Sequence, residues 1–232
     1  MKIVKVWLSI VLLFCIGLSG NCQKNTFDLK CKFEVIKETS LPYERVLTDK
    51  GQRNPSYGLV ADKEIPCSLL FEYMDFGGTI KTTWTSGGSI FRLFKPESSE
   101  FVLVVAKIGV SECTKHLLIT YDKEGKMIDY IEVEIGFVRR GEYTSSKHWR
   151  IDKNLQIQVC QVKPISSEPI LFFDKYYQLD SMQGQRIDTY YKIDKSGKFQ
   201  QVKQVKYKPR EYDCTFFKSK NIWNSGDVAL EK

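Results

Sequence analysis

Residues able to do chemistry are few and far apart in this chain. The only histidines are His116, beside the apolar run Leu117-Leu118-Ile119, and His148, before Trp149. A metal centre needs three or four convergent ligands, and neither an HxH nor an HExxH spacing occurs, so no metal site is expected. Cys113 and His116 are close enough to pair as a thiol nucleophile and its base, yet no thiol-enzyme signature flanks them. Both histidines are therefore read as structural. Glu132 and Glu134 would sit ~7 Å apart on one face of a strand, within the range glycosidases use for their paired carboxylates. They alternate with Ile131, Val133 and Ile135, which makes them the solvated face of an amphipathic strand. Neither GxGxxG nor a Walker phosphate loop is present. No catalytic residue and no cofactor is assigned.

Aromatic side chains are the one compositional excess, at 13% of the chain. Four doublets, Phe172-Phe173, Tyr176-Tyr177, Tyr190-Tyr191 and Phe216-Phe217, crowd the last third. Neighbours on a strand point to opposite faces, so a sheet built there carries rings on both sides. One such face could stack a sugar or dock a protein. Tyr176, Tyr177, Tyr190 and Tyr191 form the candidate ligand-binding group, with Arg186 and Lys192 to hydrogen-bond hydroxyls or carboxylates. The competing reading puts those rings in the core on one side and scatters them on the other. Nearby, Lys192, Lys195, Lys198, Lys203, Lys206, Lys208 and Arg210 face Asp194 alone. Such a run is a solvated strand face that can meet anions. Net charge is +7, two charges of which, Lys2 and Lys5, fall in the leader described below, and no nucleic-acid partner is expected.

The elements that must position these residues read as β. Residues 31–35, 80–84, 131–137 and 155–159 alternate apolar with polar, the period of half-buried strands. Residues 101–106 are continuously apolar, as in a strand covered on both faces. The spacing of Phe199, Val202 and Val205 suits either a short helix or a bulged strand. Asp122-Lys123-Glu124-Gly125-Lys126 and Asp194-Lys195-Ser196-Gly197-Lys198 are near copies of one hairpin loop, with Gly where a positive φ is needed, and Ile151-Asp152-Lys153-Asn154-Leu155 is a shorter version. The fold class is mainly β, an antiparallel meander of hairpins with little helix, closed as a sandwich or an open barrel-like sheet. Residues 31–220 form the β-rich domain, with 96–100 the place where two subdomains would meet. The stretch 49–64 reads as a long polar loop or boundary, and 221–232 as a frayed tail.

At the other end, Lys2 and Lys5 precede an apolar run over residues 6–16, then Gly17, Ser19 and Gly20. A helix of that length reaches only ~17 Å against a ~30 Å hydrocarbon core, so residues 1–21 read as a signal peptide. Leu18-Ser19-Gly20-Asn21-Cys22 resembles a bacterial lipobox, with Asn21 standing where Gly or Ala belongs. That resemblance implies lipid attachment at Cys22 and a membrane anchor, followed by a tether over 22–30. Asn54-Pro55-Ser56, its acceptor blocked by proline, is the only Asn-x-Ser/Thr triplet, in keeping with a bacterial source. The phrases "TYDKEGKMIDYIEV" and "YYKIDKSGKF" make residues 100–208 similar to uncharacterised secreted or lipid-anchored β-rich proteins of Gram-negative bacteria. The expectation is an exported envelope protein, an outer-membrane lipoprotein or a periplasmic or secreted chain. It would act as a non-enzymatic binding or structural module with a glycan or protein ligand. The alternative is a glycan- or peptidoglycan-directed hydrolase.

Overall fold

The structure, a computed structural model, describes residues 29–45, 57–60, 64–65, 70–74, 80–84, 87–97, 99–110, 113–139, 142–145, 147–165, 181–213, 216 and 222–231. One helix, α1 (Leu29–Val35), precedes fourteen strands among these residues: β1 (Tyr43–Glu44), β2 (Tyr57–Val60), β3 (Leu70–Met74), β4 (Ile80–Trp84), β5 (Gly87–Phe94), β6 (Phe101–Val110), β7 (Cys113–Asp122), β8 (Met127–Arg139), β9 (Glu142–Ser145), β10 (Lys147–Ile151), β11 (Gln156–Pro164), β12 (Ser181–Ile193), β13 (Phe199–Lys206) and β14 (Arg210–Asp213). The fold is mainly β, as the alternation predicts. A first antiparallel sheet runs β2-β5-β6-β7-β8-β9, and a second runs β1-β10-β11-β12-β13, with β14 also paired to β12. Strands β3 and β4 form a separate hairpin.

Strand β6 explains the layering. Val104, Ala106 and Ile108 join Leu117, Ile119 and Tyr121 under α1, whose Leu29 and Phe33, followed by Ile36, lie on one helical face. Leu103 and Val105 point the other way and pack with Phe94, Phe101 and Leu118 against Trp149, Ile151, Ile157, Val159 and Ile193 of the second sheet. Both faces of β6 are thus covered, as its unbroken apolar sequence requires. The second sheet consequently has an inner face against the first sheet and an outer face beyond it.

The three similar loops share one geometry. Asp122, Asp152 and Asp194 each accept a backbone N–H three residues on, and the Oδ1 of each takes two further backbone N–H groups. The left-handed position is filled by Gly125 and Gly197, both at φ 84°, and by Leu155 at φ 60°. This is a three-residue hairpin loop ending in a left-handed residue.

Several expectations are corrected. Residues 31–35 belong to α1 and not to a strand, and α1 begins at Leu29, inside the stretch read as a tether. Residues 96, 97, 99 and 100 lie between the paired strands β5 and β6 of one sheet, and the chain leaves that sheet for the second one between β9 and β10. Within the stretch read as a polar loop, Tyr57–Val60 is a strand, and Glu64 is buried and salt-bridged to Lys32 at 3.0 Å. The spacing of Phe199, Val202 and Val205 is that of a bulged strand. Tyr190 pairs with Lys203 but Tyr191 with Gln201, leaving Val202 as the extra residue. The tail is not frayed. Ile222 is fully buried, Lys208 N donates to Val228 O at 2.8 Å, and Tyr207 bridges to Ala229.

Candidate functional site

Strand register sets a row of side chains across the outer face of the second sheet. Glu44 on β1 pairs with Arg150 on β10, Arg150 with Gln158 on β11, Gln158 with Tyr190 on β12, and Tyr190 with Lys203 on β13. Directly paired residues share a face, so the five form one line. The bulge at Val202 brings Lys203 onto this line. Arg150 donates from Nε and Nη2 to Gln158 Oε1 at 3.0 and 2.7 Å. Gln158 Nε2 in turn donates to Tyr190 Oη and to Asp188 Oδ2, both at 2.9 Å. The Lys203 ammonium sits 4.2 Å from the centre of the Tyr190 ring. Around this row lies a groove of about 760 Å³, lined also by Asp152, Gln156 and Lys192.

Beside the groove the outer face is covered by the C-terminal segment, and buried charge explains why. Arg186 is 2% exposed, and a guanidinium removed from water must be matched by acceptors. Asp188 supplies a bidentate pair at 2.7 Å through both oxygens. The remaining Nη1 reaches Ile222 O at 2.7 Å, Ser225 Oγ at 2.6 Å and Asp227 Oδ2 at 3.0 Å. Asp227 also pairs with Arg210 and accepts from Tyr212 at 3.1 Å. Burial opposes ionisation of Asp227, but Arg210, Ser225 and Arg186 outweigh it and hold its carboxyl below the usual range. Burial and the Asp188 carboxylate raise the Tyr190 phenol and push Tyr207 up to about 12, so both stay protonated at neutral pH. Held this way, the tail lays the Trp223 ring 4.4 Å from the Arg150 guanidinium, and Trp223 Nε1 donates to Glu44 Oε1 at 2.9 Å. His148 Nε2 lies 3.4 Å from the same oxygen.

Of the residues expected to bind a ligand, Tyr190, Tyr191 and Lys192 all border the groove, but the Tyr191 ring, opposite Ile157, packs against the inter-sheet core. Arg186 lies beneath the tail, so it is a buried anchor and not a surface donor. Tyr176, Tyr177 and Cys22 lie outside the described residues. A coplanar platform is therefore not built by the 190–191 doublet, because its two rings go to opposite faces. The lysines at 192, 195, 198, 203, 206 and 208 are all exposed. Arg150, Gln158, Glu44 and Trp223 carry no motif and become neighbours only through register.

The acidic pair is corrected too. Glu134 is fully buried, with Oε2 3.1 Å from Arg45 Nε and 2.9 Å from His116 Nδ1. Glu132 is salt-bridged to Lys115 at 3.0 Å and to Lys147. Burial alone would raise the Glu132 pKa, yet Lys147 and Lys115 bring it below the ordinary value. The bulge that pairs Leu117 with Glu132 but His116 with Glu134 breaks the alternation at Val133. Both carboxylates are thereby structural. Among the described residues no group of three or more His, Cys, Asp and Glu side chains could hold a metal ion, and Cys160 is a free, buried thiol whose pKa is raised by burial and then by Asp188.

Compared with known proteins, the chain matches no family model, no curated protein and no solved structure.

Proposed function

We propose that this chain is an exported envelope protein acting as a non-enzymatic binding module, with its ligand taken in the groove on the outer face of the second sheet and a glycan as the ligand. The observation that carries the reading is the row from Glu44 to Lys203, a line of polar side chains already fixed by one another at the floor of a groove of about 760 Å³. Ligand sites are commonly of this size, and donors held in place before binding lose little freedom on binding. Amide, guanidinium and phenol groups in one line suit the hydroxyls of a sugar better than an apolar guest. A hydrolase would need two free carboxylates facing one another. The two carboxylates at this groove, Glu44 and Asp152, each have one oxygen fixed, by Trp223 and by the turn, which leaves a single acceptor oxygen on each for a ligand's hydroxyl.

The test is a glycan array probed with the purified protein, followed by Gln158→Ala and Tyr190→Ala. Binding lost in both variants, each still unfolding in one cooperative transition, is the expected result. No glycan retained, or binding indifferent to both substitutions, removes the groove from consideration. Export and anchoring rest on the leader and the lipobox-like segment. Full-length protein made in bacteria fed a radiolabelled fatty acid should be labelled, and Cys22→Ala should not. Equal labelling of the two, or none in either, would leave the chain without an anchor at Cys22.

A further inference from the structure

The groove is electrically uneven from one rim to the other. On the β12–β13 side stand Lys192 and Lys203, both exposed, and the same hairpin carries the exposed Lys195, Lys198, Lys206 and Lys208. The one acid in that run, Asp194, accepts the backbone N–H groups of Ser196 and Lys198, and Arg210 is paired to Asp227. Lys192 has no ionic partner among the described residues, and Lys203 is held only by the face of the Tyr190 ring, a contact it can exchange for an anion. Tyr190 is opposite Lys203 and two residues from Lys192 on the same face, so the two lysine stems start about 7–8 Å apart. Two long side chains at that separation can close on one carboxylate.

The opposite rim has the reverse character. Asp152 uses Oδ1 for its turn and Glu44 uses Oε1 for Trp223, and the second oxygen of each has no partner among the described residues. Those oxygens ask for hydrogen-bond donors. Between the rims lie Gln156, which can donate and accept, and Tyr190, whose hydroxyl keeps its proton to donate, while Gln158, its amide already committed to Arg150, Asp188 and Tyr190, holds those groups in place. A complementary ligand carries an anion along one edge and hydroxyl donors along the other.

Resting on the reading of this groove as a binding site, we infer that its ligand class is a carboxylated saccharide, a glycan containing uronic acid, with the carboxylate between Lys192 and Lys203 and hydroxyls donating to Asp152 and Glu44. A neutral sugar leaves the lysines unmatched, and an acidic peptide offers the carboxylate rim no comb of hydroxyl donors. A phosphate polymer would press charge against Glu44 and Asp152.

Calorimetric titration of the purified protein with tetragalacturonate, its methyl ester and tetraglutamate separates these cases. Tetragalacturonate should bind, the ester at least tenfold more weakly, and tetraglutamate at least tenfold more weakly again. Lys192→Gln and Lys203→Gln should each weaken tetragalacturonate at least fivefold with an unchanged melting temperature, and Lys195→Gln should not. Affinity for the acid should also fall as salt rises from 20 to 300 mM. Ester and acid binding alike, both lost in Gln158→Ala, would overturn the carboxylate while leaving the groove as the site. Tetraglutamate binding as tightly as the uronate would overturn the saccharide. Tetragalacturonate bound equally by Gln158→Ala, Lys192→Gln and Lys203→Gln would overturn both the ligand class and the groove.

Discussion

Gln158 and Asp188 meet on neighbouring strands, Nε2 to Oδ2 at 2.9 Å, and this one contact joins the floor of the groove to the charged interior beneath the tail. The same oxygen accepts from Arg186 Nη2 at 2.7 Å. The orientation of a groove residue is therefore set by a buried ion pair.

Removing that pair's acid should be costly. Asp188→Ala leaves the Arg186 guanidinium with Asp227 as its remaining carboxylate, and breaking a buried pair from one side costs about 3–5 kcal/mol. Urea unfolding at pH 7 is the measurement. A loss below about 1 kcal/mol would mean that Arg186 is solvated after all.

The left-handed glycines should respond according to what surrounds them. Gly226→Ala, at φ 74° with nothing within 4 Å of the new methyl, meets backbone strain alone, about 1 kcal/mol. Gly197→Ala meets the same strain at φ 84° and also places the methyl 2.9 Å from Ile128 Cδ1. It should lower the melting temperature further than Gly226→Ala, while Ser196→Ala on the same loop should do little. Equal effects at all three positions would contradict the turn assignment.

Loss of Asp227 should free the tail. Asp227→Asn weakens contacts to Arg186, Arg210 and Ser225, and bonds to charged groups contribute roughly 1.5–3 kcal/mol. Carboxypeptidase should then trim the variant back toward residue 221 under conditions that leave the parent intact. Equal resistance would show that Ile222 and Trp223 hold the segment without help.

Acid should act through His148. It is buried, and burial lowers its pKa in the folded state, with Glu44 opposing in part. A lowered folded-state pKa means that the unfolded chain binds the proton first. Stability is thus complete above the ordinary imidazole value of about 6.5 and declines as pH falls through it. Glu132 and Asp227, both lowered, add a second decline as pH falls below the usual carboxylate range. In His148→Gln the upper decline should vanish and the lower one persist. Identical profiles for the two proteins between pH 7 and 5 would exclude His148 as the source.

Local features were legible where the signal was local. The doubly covered β6, the alternating strands and the two glycine turns follow from residues within about ten positions of one another. The third turn was legible as well, even with Leu155 in the place of glycine. What escaped depends on distant partners or on a break in period. In α1 a seven-residue window fits periods of 2 and 3.6 equally, and only its contact with Tyr121 decides between them. Glu134 read as solvated because its counter-charge, Arg45, is 89 residues away and a bulge intervenes. Arg186 read as exposed because Asp227 lies 41 residues on, in a tail whose polarity suggested fraying. The candidate site was half visible, through Tyr190 and Lys192. Arg150, Gln158 and Trp223 became neighbours only once the strands were in register.

The pairing of Tyr43 with Ile151 has a consequence for how the chain reaches this state. Strand β1 precedes every strand of the first sheet, yet its partner β10 follows them all. A chain made from its N-terminus can close the β5–β8 meander from neighbouring hairpins, whereas β1 must wait for a segment synthesised far later. Long loops close slowly, and non-local pairing governs folding rate more than stability. The last sheet to form is then the one that carries the groove, so substitutions at Tyr43 or Ile151 should slow acquisition of the binding face while the first sheet assembles at its normal rate.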